Sequence, residues 1–302
     1  MTVPKVKLSN GLEIPAIGFG SGTKWKRPPG EKEERALIDA VVSAIKAGHH
    51  HIDTAEFYGT EKQIGEAIKE SGVPRKEIFL TSKTLFGLLA DDPIESISNQ
   101  LKTLQTDYFD LFLIHVPPND DISYDLPKAW GVLEELYEKG LAKAIGVSNH
   151  SPAEIELIIK NGKVKPHVNQ IEFHPLLQEP TPGIVDFCKK HGIVVEGYSP
   201  LASNEIEGEK PLDVVVEKIA KNHGVSAGSV LLRWATQNDI VPITTSGNPG
   251  RQKEALDIFK FTLSDDEVNE INKIGAESPR YQRLPIPSHK HYFPAEEGEA
   301  KI

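Results

Sequence analysis

Apolar runs of strand length alternate with amphipathic stretches of helix length through most of the chain, and this alternation restricts the fold more than any other feature. The strand candidates are residues 16–20, 50–54, 78–83, 108–115, 144–149, 167–173, 193–199 and 240–245. Helix candidates lie between or after them, near 33–47, 61–70, 93–104, 126–138, 152–160, 182–191, 212–223 and 251–259. Pro93, Pro152 and Pro182 fall at first turns, where a missing N–H costs nothing, and Gly48, Gly140 and Gly192 follow last turns. Strands joined through helices run parallel, and eight such units in 302 residues fit a closed (β/α)8 TIM barrel better than an open sheet. The open, doubly wound rival would carry a glycine fingerprint after its first strand. Gly18-Phe19-Gly20-Ser21-Gly22 lacks the spaced third glycine and the immediate helix of that fingerprint.

Further elements surround this frame. Asn10-Gly11 predicts an N-terminal β-hairpin, helices are expected at 226–237 and 264–274, and Ser264 with Glu267 forms a capping-box pattern. The tail from 276 to 302 is expected near the barrel mouth, and residues 1–302 read as one domain.

A barrel of this kind gathers the C-terminal ends of its strands at one mouth, which converts sequence position into geometry. Asp53 ends the second strand, Tyr58 follows in its loop, Lys83 ends the third and His115 the fourth. Taken singly, Asp53 reads as a turn cap, Tyr58 as packing, and Lys83 or His115 as a salt-bridge residue. Taken together they make a proton donor. The ammonium of Lys83 would lower the pKa of the Tyr58 phenol, Asp53 would hold the ammonium, and His115 would hydrogen-bond a carbonyl oxygen. His49-His50-His51 suggests a metal, but neighbours on a strand point to opposite faces and cannot share one ion, so no metal site is expected.

Charge and composition exclude several classes. The net charge of -10 argues against nucleic acid or an anionic membrane as partner, and no apolar run is long enough to span a bilayer. The run 31–35 mixes both signs at helical spacing and reads as a solvated helix start. A single cysteine, Cys188, and the lack of an export or organelle signal in residues 1–10 point to the cytosol.

The segment His51-Ile52-Asp53-Thr54-Ala55 with Tyr58-Gly59 resembles the signature of the aldo-keto reductase superfamily, and the likeness extends over nearly the whole chain. That resemblance implies a catalytic tetrad of Asp53, Tyr58, Lys83 and His115, and NADPH (NADP+) as cofactor. It implies that Ser148, Asn149 and Gln170 hold the nicotinamide carboxamide, that Tyr198 stacks on the ring, and that Ser199-Pro200-Leu201 forms the pyrophosphate loop. The adenosine end departs from the common pattern. Thr245 stands where many relatives have lysine, and Ala255 where they often have asparagine, while the spacing to Arg251 is kept. Arg251 is then the clamp for the 2′-phosphate, with the Thr245 and Ser246 hydroxyls as further donors.

This departure, with Gly22-Thr23-Lys24-Trp25-Lys26, is similar to the fungal conjugated polyketone reductases, which reduce diketones and ketopantoyl lactone. The expected pocket has Val116, where many relatives carry tryptophan, opening one wall, and Trp25 reads equally as another wall or as core packing. The expected function is NADPH-dependent reduction of aldehydes and activated ketones by a monomer or weak dimer. A xylose-type sugar reductase or glycerol dehydrogenase is one alternative, and a noncatalytic nucleotide-binding redox sensor or structural protein is another. Segments 87–91, 117–124 and 280–293 are expected to shape the mouth, with Tyr281 or Tyr292 lining the pocket or packing on the barrel.

Overall fold

The structure, a computed structural model, describes residues 3–22, 24–26, 35–206 and 210–289. The expectations for residues 31–34, Thr23 and Tyr292 fall outside this set. Strands β1 (Lys5–Lys7) and β2 (Glu13–Pro15) form an antiparallel hairpin. Eight parallel strands then close into a barrel: β3 (Gly18–Gly20), β4 (His51–Asp53), β5 (Phe79–Thr84), β6 (Leu111–Ile114), β7 (Ile145–Ser148), β8 (Val168–Glu172), β9 (Val194–Tyr198) and β10 (Ile240–Thr244). Closure occurs where β10 pairs with β3, Thr244 opposite Phe19. The (β/α)8 expectation is met, with strands shorter than the apolar runs that signalled them.

The helices are α1 (Arg35–Ala47), α2 (Glu61–Ser71), α3 (Pro93–Thr103), α4 (Leu126–Glu138), α5 (Pro152–Asn161), α6 (Ile184–His191), α7 (Pro211–His223), α8 (Ala227–Gln237), α9 (Pro249–Asp257) and α10 (Asp265–Glu277). Pro93 and Pro152 start helices as expected, and Ser264 with Glu267 makes the full capping box. Pro182 does not. Gly183 takes a left-handed φ of 71° as the N-cap of α6, so that helix begins at Ile184. Helix α9 starts earlier than its periodicity suggests, because the Asn248 side chain accepts from the N–H groups of Gly250 and Arg251.

Period-2 alternation sorts the strand residues between two cores. Phe112 and Ile114 of β6 face outward and join Trp130 and Leu133 of α4 in the layer between strands and helices. Leu111 and Leu113 join Phe79, Val168 and the hairpin residues Leu8 and Ile14 inside the lower barrel. Burying Leu8 and Ile14 contributes roughly 1.5–3 kcal/mol each, and Asn10 ties the turn down by donating its side-chain N–H to the Lys143 carbonyl at 3.0 Å. The hairpin therefore plugs the N-terminal end, and the mouth is the open one. Among the described residues no helix is long and apolar enough to cross a membrane.

Candidate active site

His51 and Asp53 are two apart on β4, as are Thr81 and Lys83 on β5, so both pairs point into the barrel. The fully buried Lys83 ammonium donates to Asp53 Oδ1 at 2.7 Å, to Asp53 Oδ2 at 2.8 Å and to the Thr54 carbonyl at 2.8 Å. Its remaining neighbour is the Tyr58 hydroxyl oxygen at 3.4 Å. Because Lys83 donates to that oxygen, the phenolic hydrogen is left to point elsewhere. His115 places its ring edge-on to Tyr58, with centroids 5.4 Å apart and planes at 83°. The four residues expected to converge do so.

Gly22 makes room for the phenol, since a Cβ there would lie 2.9 Å from Tyr58 Cζ. Burial opposes the charge on Lys83, but the Asp53 carboxylate and Tyr58 outweigh it and raise the pKa. Tyr58 departs from expectation. Burial raises its pKa, the Lys83 charge only partly counters this, and Asp53 adds to the rise. The phenol is thus fully protonated at neutral pH, as a proton donor must be. Burial, then the charges of Lys83 and Lys26, bring His115 down to about 3. Its imidazole is neutral and can donate a single N–H.

A second group of side chains lines the wall from β7 to β9. Ser148 Oγ donates to the Gln170 carbonyl at 2.9 Å, Asn149 Nδ2 donates to Ser148 Oγ at 3.1 Å and to the His115 carbonyl at 3.2 Å, and the Tyr198 hydroxyl donates to Asn149 Oδ1 at 2.9 Å. Asn149 and Ser199, each immediately after a barrel strand, hold left-handed φ angles of 63° and 53°. Such backbone costs about 1 kcal/mol or more per residue and collects at functional sites. Gln170 is more committed than expected, because its Nε2 donates to Asp53 Oδ2 at 2.9 Å and to Glu196 Oε2 at 2.7 Å. It has only Oε1 left to offer a ligand.

Beyond this wall a cleft of ≈ 380 Å³ runs past Leu201, Asn204, Thr245, Ser246 and Arg251 to Ala255. Its chemistry suits a phosphorylated ligand: hydroxyls, a guanidinium and the N-terminus of α9 face it. Ser199 Oγ and Ser203 Oγ, in the segment that contributes Leu201 and Asn204 to the cleft, are buried without a hydrogen-bond partner. These orphaned donors fit a pyrophosphate. Of its two expected places, Trp25 takes core packing. It is buried in the core layer and donates its indole N–H to Thr245 Oγ1 at 3.2 Å, on the side of this cleft. Lys24, given no role of its own from the sequence, comes with it. A Cβ at Gly247 would lie 3.3 Å from Lys24 Nζ, so a cation borders the loop where Thr245 replaces lysine.

The mouth opposite this cleft is apolar. Phe57, Phe86 and Leu89 are exposed there, Phe57 lies 5.9 Å from Phe86 and 6.1 Å from His115 between centroids, and Lys26 Nζ sits 3.8 Å over the Phe57 ring. Val116, beside His115, accepts from the Tyr124 hydroxyl through its carbonyl at 2.5 Å.

Two carboxylates hold the surrounding loops, and neither was singled out from sequence. Glu56 Oε2 accepts from the N–H groups of Leu85, Phe86 and Gly87 at 3.1–3.2 Å. Glu172 accepts from Arg283 N–H at 2.7 Å and Leu284 N–H at 2.9 Å, fixing the tail. Tyr281 packs against His174 rather than standing free, with centroids 5.9 Å apart. The histidine triplet serves structure, His49 against the Gln252 carbonyl and His51 against Thr81 Oγ1.

A model of the Aldo/keto reductase family matches residues 16–276. The chain is 38% identical over 283 residues to the NADPH-dependent alpha-keto amide reductase of Saccharomyces cerevisiae, covering 89% of this chain and 90% of that protein. It is 36% identical over 269 residues to the NAD/NADP-dependent indole-3-acetaldehyde reductase of Schizosaccharomyces pombe, covering 88% and 94%. Among solved structures, a Bombyx mori aldo-keto reductase in complex with NADP superposes with a TM-score of 0.84 at 32% identity, covering 97% of this chain and 98% of that one.

Proposed function

The chain belongs to the aldo/keto reductase family, and from that premise we infer that it reduces aldehydes and activated ketones to alcohols with NADPH, Tyr58 delivering the proton. When bound, NADPH supplies the hydride. The substrate oxygen is held by the neutral His115 imidazole through one N–H, and Tyr58 gives it the phenolic proton. The phenolate left behind faces the Lys83 ammonium, which Asp53 keeps charged and aimed. The observation that carries this reading is Lys83 fixed between the Asp53 carboxylate and the Tyr58 oxygen.

Ser148, Asn149 and Gln170 would hold the nicotinamide carboxamide, with Tyr198 as its stacking partner. Ser199 and Leu201 would border the pyrophosphate, and Thr245, Ser246, Arg251 and Lys24 the adenosine phosphate. The apolar rim of Phe57, Phe86 and Leu89 supports an activated ketone over a sugar. The same reading takes residues 1–302 as one catalytic barrel domain acting in the cytosol as a monomer or weak dimer; the buried lone thiol of Cys188 fits a reducing compartment.

The test is Tyr58→Phe, assayed with aldehydes and α-diketones. Reduction should fall by about 10²–10⁴ while quenching of NADPH fluorescence on binding is kept. A variant that retains most of its activity would sink the assignment. Wild-type protein that quenches NADPH yet turns over none of the panel would make it a binding protein.

A further inference from the structure

Glu196, in the middle of β9, is fully buried beside the proton-donating group and has no part in the reaction as described. Its Oε2 accepts from Gln170 Nε2 at 2.7 Å, and the same nitrogen donates to Asp53 Oδ2 at 2.9 Å. An amide nitrogen carries two hydrogens, so Gln170 Nε2 serves both carboxyls and is then saturated. The other oxygen, Oε1, has no hydrogen-bond partner, although it lies 3.4 Å from His51 Nε2.

The charges around Glu196 can be counted. His51 and Asp53 face it from β4 and Lys83 from β5; β8 presents the uncharged Gln170 opposite it and, two residues on along the same face, the Glu172 carboxylate, which is held by the Arg283 and Leu284 N–H groups and lies 3.2 Å from His174 Nε2; β10 has no titratable residue. Lys83 is the only ammonium among these groups, and it is spent on both oxygens of Asp53. A second carboxylate, one amide away from the first, would sit in a low-dielectric interior without a cation of its own. His51 cannot supply one, because burial and the Lys83 charge bring its pKa down to about 3.

We propose that Glu196 is a positioning residue working as a neutral carboxylic acid, which holds the Gln170 amide against Asp53 and leaves Asp53 the single negative charge beside Lys83. Its carbonyl oxygen accepts from Gln170, and its O–H faces His51 Nε2 in the tautomer where that nitrogen accepts, a position it shares with the Thr81 hydroxyl at 3.0 Å. Burial, then the charge of Asp53, push the Glu196 carboxyl up to about 8 against the opposing pull of Gln170 and Lys83. The proposal rests on Tyr58 as proton donor for its effect on rate. Ionising Glu196 adds a second anion to the Asp53–Lys83 pair that faces the phenolate left by proton transfer, so reduction slows as pH rises through that pKa.

The experiment compares wild type with Glu196→Gln, which keeps an acceptor for Gln170 and a donor toward His51. The two should agree in kcat within roughly two-fold below about pH 7, and the wild-type decline above pH 8 should be absent from the variant. A variant about ten-fold slower at neutral pH, or one with the same alkaline decline, overturns the proposal. Protonation is read separately from catalysis by infrared difference spectra of the cofactor-free enzyme with carbon-13 glutamate, taken between about pH 6.5, where ordinary glutamates are already ionised, and alkaline pH. A carboxylic-acid band should disappear on alkalinisation. Glu61 is also pushed up to about 8, chiefly by burial, and burial raises Glu179. Part of the band should therefore persist when both Glu61→Gln and Glu179→Gln are present, which gives the answer even if Glu196→Gln fails to fold. Loss of the whole band in that double variant overturns the proposal. A persisting band alongside an active Tyr58→Phe would instead remove the proton-donor reading and leave the protonated acid in place.

Discussion

Trp25 donates its indole N–H to Thr245 Oγ1 at 3.2 Å, so the segment after β3 is tied to the one after β10 across the seam where the barrel closes. The bond uses the Thr245 hydroxyl as an acceptor and leaves its hydrogen free for a phosphate. It also brings Lys24 against Gly247. Lys24→Ala and Arg251→Ala should each weaken NADPH binding by about ten-fold or more and leave NADH nearly unchanged, because a charge-assisted phosphate contact is lost only where the phosphate exists. Fluorescence titration with both cofactors measures this. Equal losses for the two would place these cations away from the 2′-phosphate.

Removing Asp53 strands an ammonium. Asp53→Ala leaves Lys83 fully buried with the Thr54 carbonyl as its strongest remaining acceptor, and breaking a buried pair in this way costs about 3–5 kcal/mol. Urea unfolding should show that loss, and activity should fall with it. A stability change under about 1 kcal/mol would mean that water reaches Lys83.

Stability should peak near pH 6.5. Burial is the main cause that brings His49 and His150 down to about 4 and His51 and His115 to about 3, from an ordinary 6.5. Below 6.5 the unfolded chain binds protons that these four refuse, so stability drops as pH falls through that window. Glu61 and Glu196 act oppositely. Their folded values near 8 exceed the ordinary 4.5, so the stability they give is complete below 4.5 and is lost as pH rises to 8. Between 4.5 and 6.5 the histidines outnumber the two carboxyls, and above 6.5 only the carboxyls remain. Melting temperature should therefore climb to about pH 6.5 and decline towards 8, and Glu196→Gln should flatten the decline. A wild-type curve still climbing between those values contradicts the assignment.

Glu172→Ala should release the tail. The carboxylate alone receives both backbone N–H groups, of Arg283 and Leu284. Hydrogen exchange at these two amides should speed up by about ten-fold or more, with β8 still protected. Unchanged exchange would show that packing at Tyr281 suffices to hold the segment.

The barrel was legible because each strand is a short apolar run and each helix carries its own stop signals, and both are local properties of the chain. The tetrad was legible for a different reason: a barrel sends Asp53, Lys83 and His115 to one end whatever their separation. Glu56, Glu172 and Glu196 were not legible. A glutamate inside a strand or at a loop looks the same in sequence whether it meets water, three backbone N–H groups or a buried amide, and only the folded neighbours decide. Lys24 escaped notice likewise, since its value depends on Gly247, more than two hundred residues away. Tyr58 shows the limit of reasoning from one neighbour, because the pull of Lys83 was foreseen and the larger push of burial was not.

The hairpin plug gives the barrel interior a single doorway. Leu8 and Ile14 seal one end with hydrocarbon, so the protons of Lys83 and Glu196 have no outlet below and exchange with water only by way of the mouth. A ligand seated against Tyr198 and His115 would close that doorway as well. During turnover the interior would then work as an isolated proton store, refilled once per cycle when the product leaves and Tyr58 meets solvent again.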